Sequence, residues 1–215
     1  MSEHATPLAH QFEEPVQQQE AATLGMWIFL ATEVLLFGGL FLAYIIYREQ
    51  APLAFSEASG KTMLVPGTIN TAILLLSSYF VANAVHLTAL GRRREVVLLL
   101  LEAILLAMAF LIIKGFEYHH KIEEGLFPGA NFHFAGTQAR GVQMFFVLYF
   151  AMTGLHALHV AVGATILGVC AVKILFSRYP ARLATMVDVS GLYWHFVDLV
   201  WVFLFPLFYL ISHRS

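Results

Sequence analysis

Five long, uninterrupted apolar runs constrain this chain more than any other feature of its sequence. Each run has at least about 20 residues, the length that an α-helix needs to cross the ~30 Å hydrocarbon layer of a bilayer. None alternates apolar and polar residues over about ten positions, as the strands of a membrane barrel do. The sequence therefore predicts an all-α transmembrane bundle of five helices without a soluble domain, with spans at about 21–47, 68–90, 95–115, 141–176 and 187–211.

Composition excludes the soluble classes of protein. Only 12% of the 215 residues are charged, against roughly 25% in an ordinary soluble domain. So few charges could not cover the surface of a soluble domain of this size. The net charge of −2 also excludes a protein that binds nucleic acid by broad neutralisation of phosphates.

The remaining segments define the organisation of the chain. Residues 1–20 contain no Lys, no Arg and no apolar core, and we predict a flexible arm there. Residues 21–215 form the transmembrane domain. The connection at 48–65 reads as a polar loop, and the one at 116–139 as a long loop or a short surface helix.

Basic residues give the predicted orientation. The 12 Lys and Arg residues divide equally between the two sides of a five-span bundle. The triplet Arg92, Arg93 and Arg94 lies in a loop of a few residues, where positive charge orients a chain most strongly. This places the N-terminus in the cytoplasm and the C-terminus outside.

Polar residues within the spans are the candidates for function. An ionisable side chain at bilayer depth costs roughly 3 kcal/mol or more, so each needs a partner or a path for water. Small residues such as Gly38, Gly39, Gly163 and Gly168 predict close helix packing. The polar candidates are Glu33, Asn70, Asn83, His86, Glu102, His156, His159, His195 and Asp198.

Glu33 lies near the middle of the first span. It could relay protons or sense a conformational change, or it could simply bond a neighbouring helix. His156 and His159 are three residues apart and share a helix face, as do His195 and Asp198. Two His and one Asp could suggest a metal site, but a hydrogen-bonded pair across the bundle is the interpretation we favour. We expect no metal site in this chain.

Sequence motifs resemble those of one family, subunit III of the haem-copper oxidases. Residues 193–210 read YWHFVDLVWVFLFPLFYL, and residues 153–163 read TGLHALHVAVG. Residues 25–44 read GMWIFLATEVLLFGGLFLAY and resemble the family's helix with a mid-membrane acid. INT at 69–71 and GFEY at 115–118 also fit, and the five matches occur in the family's order.

The resemblance implies roles for particular residues. Glu33 matches the family's carbodiimide-reactive carboxyl. Lys173 falls where some members have a basic residue near a phospholipid headgroup, and we assign lipid binding to Lys173 and His86. His86 matches a family histidine at the end of the corresponding helix. With Glu33, the residues that match family positions as proton-related or structural polar groups are His86, Glu117, His156, His159, His195 and Asp198.

The resemblance also implies a function. The chain would be a non-catalytic subunit of a respiratory terminal oxidase, most consistent with cytochrome c oxidase. It would pack beside subunit I, bind phospholipid, stabilise subunit I during turnover and support proton uptake. It would carry no cofactor of its own: haem and copper would belong to subunit I, with subunit II a further candidate for copper. Subunit II, small subunits and phospholipids would be further partners, and nucleic acid would not.

The number of spans suggests a branch of the family. The longest members have seven helices, and five-helix members occur among bacterial oxidases, so we expect a bacterial inner membrane. Within this class, an accessory subunit of a quinol oxidase or a nitric oxide reductase is the alternative. A stand-alone proton channel or transporter is the alternative of another class, with Glu33, Glu102 and Asp198 as path residues.

Overall fold

The described part of the chain is almost entirely helical. The computed structural model describes residue 12 and residues 14–129, 132–134, 138–176 and 180–211. Five of the helices are long and apolar enough to cross a membrane. The all-α class and the five spans are therefore confirmed. The described residues contain no strand and form six helices: α1 (Pro15–Gln50), α2 (Pro52–Ser59), α3 (Leu64–Ala89), α4 (Arg93–Glu123), α5 (Ala139–Phe176) and α6 (Pro180–Tyr209).

Helix α1 begins earlier than the sequence predicts. It starts at Pro15, so residues 15–20 are helical and do not belong to a flexible arm. Proline suits the first turn of a helix, and the Gln and Glu residues that follow are good helix formers. The rest of the predicted arm, residues 1–11 and 13, lies outside the described residues.

Two predicted loops contain helix. The short helix α2 lies within 48–65, and its Ala54, Phe55 and Ala58 are buried, with α5 as the main neighbour of the helix. Helix α4 continues to Glu123, beyond its predicted end at 115. Hydropathy ends the span early because charged residues follow, but Glu117 and Lys121 lie on a buried helix face.

Helices α5 and α6 occupy the centre of the bundle. Helix α6 contacts α1, α3 and α5, while α5 also contacts α2 and α4. Because successive spans run in opposite directions, the carboxyl ends of α3 and α5 and the start of α4 share one membrane side, which we call the Arg-turn end. The carboxyl ends of α1, α4 and α6 lie on the other side with α2, which we call the α2 end.

The turn between α3 and α4 depends on one glycine. Gly91 has φ of 71°, a conformation that glycine adopts without a steric cost. The Arg92 amide donates to the Leu87 carbonyl and the Gly91 amide to the Thr88 carbonyl. This is the usual way of satisfying carbonyls at a helix end, and it lets α4 return directly alongside α3.

Side chains from α1, from α2 and from the turn after α2 bond the last carbonyls of α6. The Tyr44 hydroxyl donates to the Leu207 carbonyl. The Ser59 and Thr62 hydroxyls donate to the Phe208 carbonyl at 2.9 and 3.1 Å. The last carbonyls of a helix have no partner within that helix, so these donors satisfy groups that would be costly to bury.

Glycine packing gives a matched test of the fold. A Cβ at Gly163 would lie 2.9 Å from the Trp194 ring, whereas one at Gly38 would meet nothing within 4 Å. Both variants to alanine gain the same helix propensity, so their difference isolates the contact. We expect Gly163→Ala to destabilise the bundle by about 1–3 kcal/mol relative to Gly38→Ala, measured as thermal unfolding in detergent. Equal unfolding midpoints would contradict this packing.

Candidate functional site

A closed network of four polar side chains lies at the α2 end of the bundle. It consists of Lys114 and Glu117 from α4, Tyr149 from α5 and Tyr209 from α6, and we call it the Glu117 network. All four residues are at most 2% exposed. The network therefore joins three helices in a region from which solvent is excluded.

Every strong donor of the network has an acceptor. The Lys114 Nζ lies 3.1 Å from Glu117 Oε2, 2.9 Å from Tyr149 Oη and 2.6 Å from Tyr209 Oη. Each phenol in turn donates to Glu117 Oε1 at 2.7 Å. The three ammonium hydrogens are thus all used, and the carboxylate accepts from three groups.

Aromatic rings surround the buried cation. The Lys114 Nζ lies 4.6 Å from the centroid of the Tyr149 ring and 5.4 Å from that of Trp201. Cations at these distances are attracted by the negative face of the ring. Gly67 of α3 makes room for Tyr209, because a Cβ there would lie 2.9 Å from that ring. All four long helices from α3 to α6 thus contribute to the enclosure.

Glu33 and His159 form a second polar pair near the middle of the membrane. Glu33 lies midway between the ends of α1, and its Oε2 is 3.0 Å from His159 Nε2 on α5. The side chains are 14% and 13% exposed. Phe37 packs edge-on against the imidazole, with ring centroids 5.3 Å apart. The pair joins the outermost helix to the centre of the bundle.

The second nitrogen of His159 restricts the protonation of this pair. His159 Nδ1 lies 2.8 Å from the Leu155 carbonyl, which can only accept, so Nδ1 carries a hydrogen. The contact between Nε2 and Glu33 then needs one further proton, held either by the carboxyl or by the ring. One hydrogen, on the carboxyl or on the ring, therefore joins Glu33 to His159.

His195 and Asp198 lie against α3. His195 Nδ1 is 2.7 Å from the Ser78 hydroxyl, and Asp198 is 6% exposed. The Trp194 indole donates to Ser77 at 3.2 Å. The polar face of α6 is thus bonded mainly to serines of α3, and these contacts fix the pairing of the two helices.

His156 has a different environment from His159, although the two share a helix. Its ring packs 5.5 Å from Phe110 and 5.1 Å from Trp201. Neither its ring nitrogens nor the Asn70 amide has a hydrogen-bond partner in the described part of the chain. Both residues are fully buried.

The remaining predicted residues do not join these groups. His86 in the last turn of α3 and Lys173 in the last turn of α5 are exposed. Both lie at the Arg-turn end. Asn83 bonds only the Tyr79 carbonyl of its own helix, at 2.8 Å. Over the described ranges, no three His, Cys, Asp or Glu side chains converge as a metal site requires.

Sequence reasoning missed most of the Glu117 network. It singled out Glu117 by resemblance, but it did not single out Lys114 or Tyr149. It did not single out Tyr209 as a site residue either, which is 1% exposed. The available signal was the spacing of Lys114, Glu117 and Lys121, three and four residues apart, which puts all three on one helix face.

Comparisons with known proteins agree with the motifs. The family model described as "Cytochrome c oxidase subunit III" matches residues 8–213. A protein of Oncorhynchus clarkii named "Cytochrome c oxidase subunit 3" is 31% identical over 198 residues, which cover 89% of this chain and 70% of that protein. Proteins of the same name from Loxodonta africana and Homo sapiens are 31% and 29% identical, over 87% and 89% of this chain and 68% and 70% of theirs.

Two ion pairs of the same spacing give a matched test of the Glu117 network. Lys114→Met would leave the Glu117 carboxylate buried without a cation, and we expect a loss of about 3–5 kcal/mol. Arg92 and Glu95 are also three residues apart, but their side chains are 55% and 44% exposed. Arg92→Met should therefore cost about 0–1 kcal/mol.

Unfolding of each variant in detergent measures these losses. The double variant Lys114→Met with Glu117→Leu should recover part of the stability lost by Lys114→Met, because no unpaired charge remains. Equal losses for Lys114→Met and Arg92→Met would contradict a structural role for the buried pair.

Proposed function

Because this chain belongs to the cytochrome c oxidase subunit III family, we propose that it acts as a non-catalytic subunit of a respiratory terminal oxidase. It is a multi-pass membrane protein whose partners are other oxidase subunits. In this proposal it packs beside subunit I in a bacterial inner membrane. Haem and copper belong to the partner subunits, and this chain stabilises the catalytic subunit and supports its uptake of protons.

The pairing of polar groups between helices carries this proposal. Lys114 and Glu117 bond tyrosines of two other helices, Glu33 bonds His159, and His195 contacts Ser78. Side chains used in this way fix the geometry of a bundle, since each removes the need to bury an unsatisfied polar group. A rigid bundle of this kind suits a subunit that supports a catalytic neighbour.

The Glu33–His159 pair supports the proposed role in proton uptake. It holds one proton between a carboxyl and an imidazole, and both side chains keep some exposure. Carboxyl and imidazole groups joined by a hydrogen bond within a membrane are of the kind that relay protons.

Removal of Glu33 separates this role from a packing role. Glu33→Ala should leave the assembly largely intact, because Tyr44 still bonds α1 to the end of α6. It should speed the loss of activity during turnover and slow proton uptake, since His159 loses its partner. Oxygen consumption over many turnovers, together with proton uptake by the purified oxidase, measures both effects.

The control is the exposed acid Glu57 of α2. Glu57→Ala should keep the turnover lifetime and the proton uptake of the unchanged protein. If Glu33→Ala also retained the normal turnover lifetime and proton uptake, Glu33 would be a packing residue only.

Phospholipid binding is proposed for the Arg-turn end. His86 and Lys173 are exposed there, on the side to which the arginine triplet assigns the cytoplasm. Basic groups near the surface of a bilayer attract anionic headgroups, each by about 1 kcal/mol. The two residues lie on α3 and α5, two helices that α4 and α6 separate. They would therefore contact separate headgroups.

A basic residue at each end of the bundle gives the test. Lys173→Ala should reduce the retention of anionic phospholipid by about fivefold, which corresponds to the loss of about 1 kcal/mol. Lys61→Ala, at an exposed lysine of the α2 end, should leave this retention unchanged. Mass spectrometry of lipids retained by the purified oxidase measures both, and equal retention in the two variants would argue against a site at Lys173.

A further inference from the structure

An acidic side chain lies exposed on the outer face of a transmembrane helix. Glu102 of α4 is exposed, within a helix long and apolar enough to cross a bilayer. Its side chain has no hydrogen bond or ion pair with any residue in the described part of the chain. Neither the Glu117 network nor the Glu33–His159 pair uses it.

Glu102 lies too deep in its span for its carboxyl group to reach water. It lies eight residues beyond Arg94, which corresponds to about 12 Å along a helix axis. A glutamate side chain is too short to span that distance, whereas lysine and arginine can extend to the interface. Its surroundings on the helix are also apolar. Leu98, Leu101 and Leu105 are 59%, 46% and 68% exposed.

The rest of α4 identifies this face as the one left uncovered. Leu100, Ala103 and Ala107 are fully buried, and α4 packs on α3 and α5. The exposed surface formed by Leu98, Leu101, Glu102 and Leu105, which we call the Glu102 face, therefore has no neighbour in the part of the chain that the structure describes. Plain lipid would leave the carboxyl without a hydrogen-bond partner.

We propose that the Glu102 face is a docking surface for a transmembrane helix of another oxidase subunit that carries a basic side chain at this depth. The acidic side chain of Glu102 requires a basic partner, and the leucines around it are suited to contact with an apolar helix. A second copy of this chain, packed through the same face, would bring two Glu102 carboxyls together without a basic group, so it would not supply this partner. The proposal rests on membership of an oxidase assembly.

Site-specific crosslinking in the intact assembly tests the location. The photoreactive residue p-benzoylphenylalanine replaces Leu98 or Leu105, which flank Glu102. Irradiation should join each variant to another subunit, identified by mass spectrometry. The same residue at Leu100, which is fully buried on the same helix, should give no crosslink to another subunit.

Substitution of Glu102 tests the chemistry. Glu102→Leu should speed dissociation of the crosslinked partner subunit about three- to twentyfold, the range that one interhelical hydrogen bond supplies. The dissociation rate of Glu102→Gln should lie between those of Glu102→Leu and the unchanged protein. The amide oxygen of glutamine still accepts a hydrogen bond from a basic group, but it carries no charge. Glu57→Leu, at an exposed acid outside the spans, is the control and should have no effect.

Each contrary outcome is distinct. Crosslinks only to lipid, or only to a second copy of this chain, would overturn the docking surface while the oxidase subunits still co-purify. Dissociation of Glu102→Leu at the normal rate would overturn the charge pairing. If the unchanged chain purified without any oxidase subunit, the proposed function would fail together with the docking surface.

Discussion

The buried ion pair between Lys114 and Glu117 sets the arrangement of the helices around it. An ammonium group and a carboxylate taken out of water cost several kcal/mol each unless their hydrogen bonds are replaced. Tyr149 and Tyr209 replace them, since each phenol accepts from the lysine and donates to the glutamate. The two tyrosines come from different helices, so α4, α5 and α6 can satisfy the pair only in one mutual register. Gly67 extends this constraint to α3, because only a residue without a side chain leaves room for the Tyr209 ring.

Helix α1 is held against the bundle in a different way from the helices that share the Glu117 network. Helix α1 carries many exposed apolar residues, and its polar links to the other spans are few and well separated. Tyr44 bonds the end of α6, while Glu33 bonds His159 near mid-membrane. The α2 end is thus closed by hydrogen bonds to the last carbonyls of α6, and the middle of the bundle holds the Glu33–His159 pair. This arrangement agrees with the supporting role that we propose for the chain.

The sequence predicted the elements that depend on local composition. Five apolar runs identified five spans, because crossing a bilayer requires length and hydropathy that are readable in the chain itself. Hydropathy also ended the third span at 115 and treated α2 as loop, since it cannot distinguish a buried charge from a solvated one. The partners of Lys114 lie 35 and 95 residues away in the chain, so no local pattern could join them. The sequence also could not tell which glycines lie at a close helix contact. All three of Gly38, Gly39 and Gly163 predicted close packing, but only Gly163 packs on another helix, at Trp194, whereas Gly38 and Gly39 have no close neighbour.

We propose that this chain uses its polar residues to build a supporting bundle, while the redox chemistry belongs to its neighbours. The most direct measurement is affinity isolation of the tagged chain from its native membrane, followed by haem absorbance and metal analysis before and after this chain is dissociated from the assembly. The account predicts that the catalytic subunits of an oxidase co-purify, and that all haem and copper remain with them after dissociation. Haem or copper that leaves with this chain, in proportion to its amount, would contradict the account.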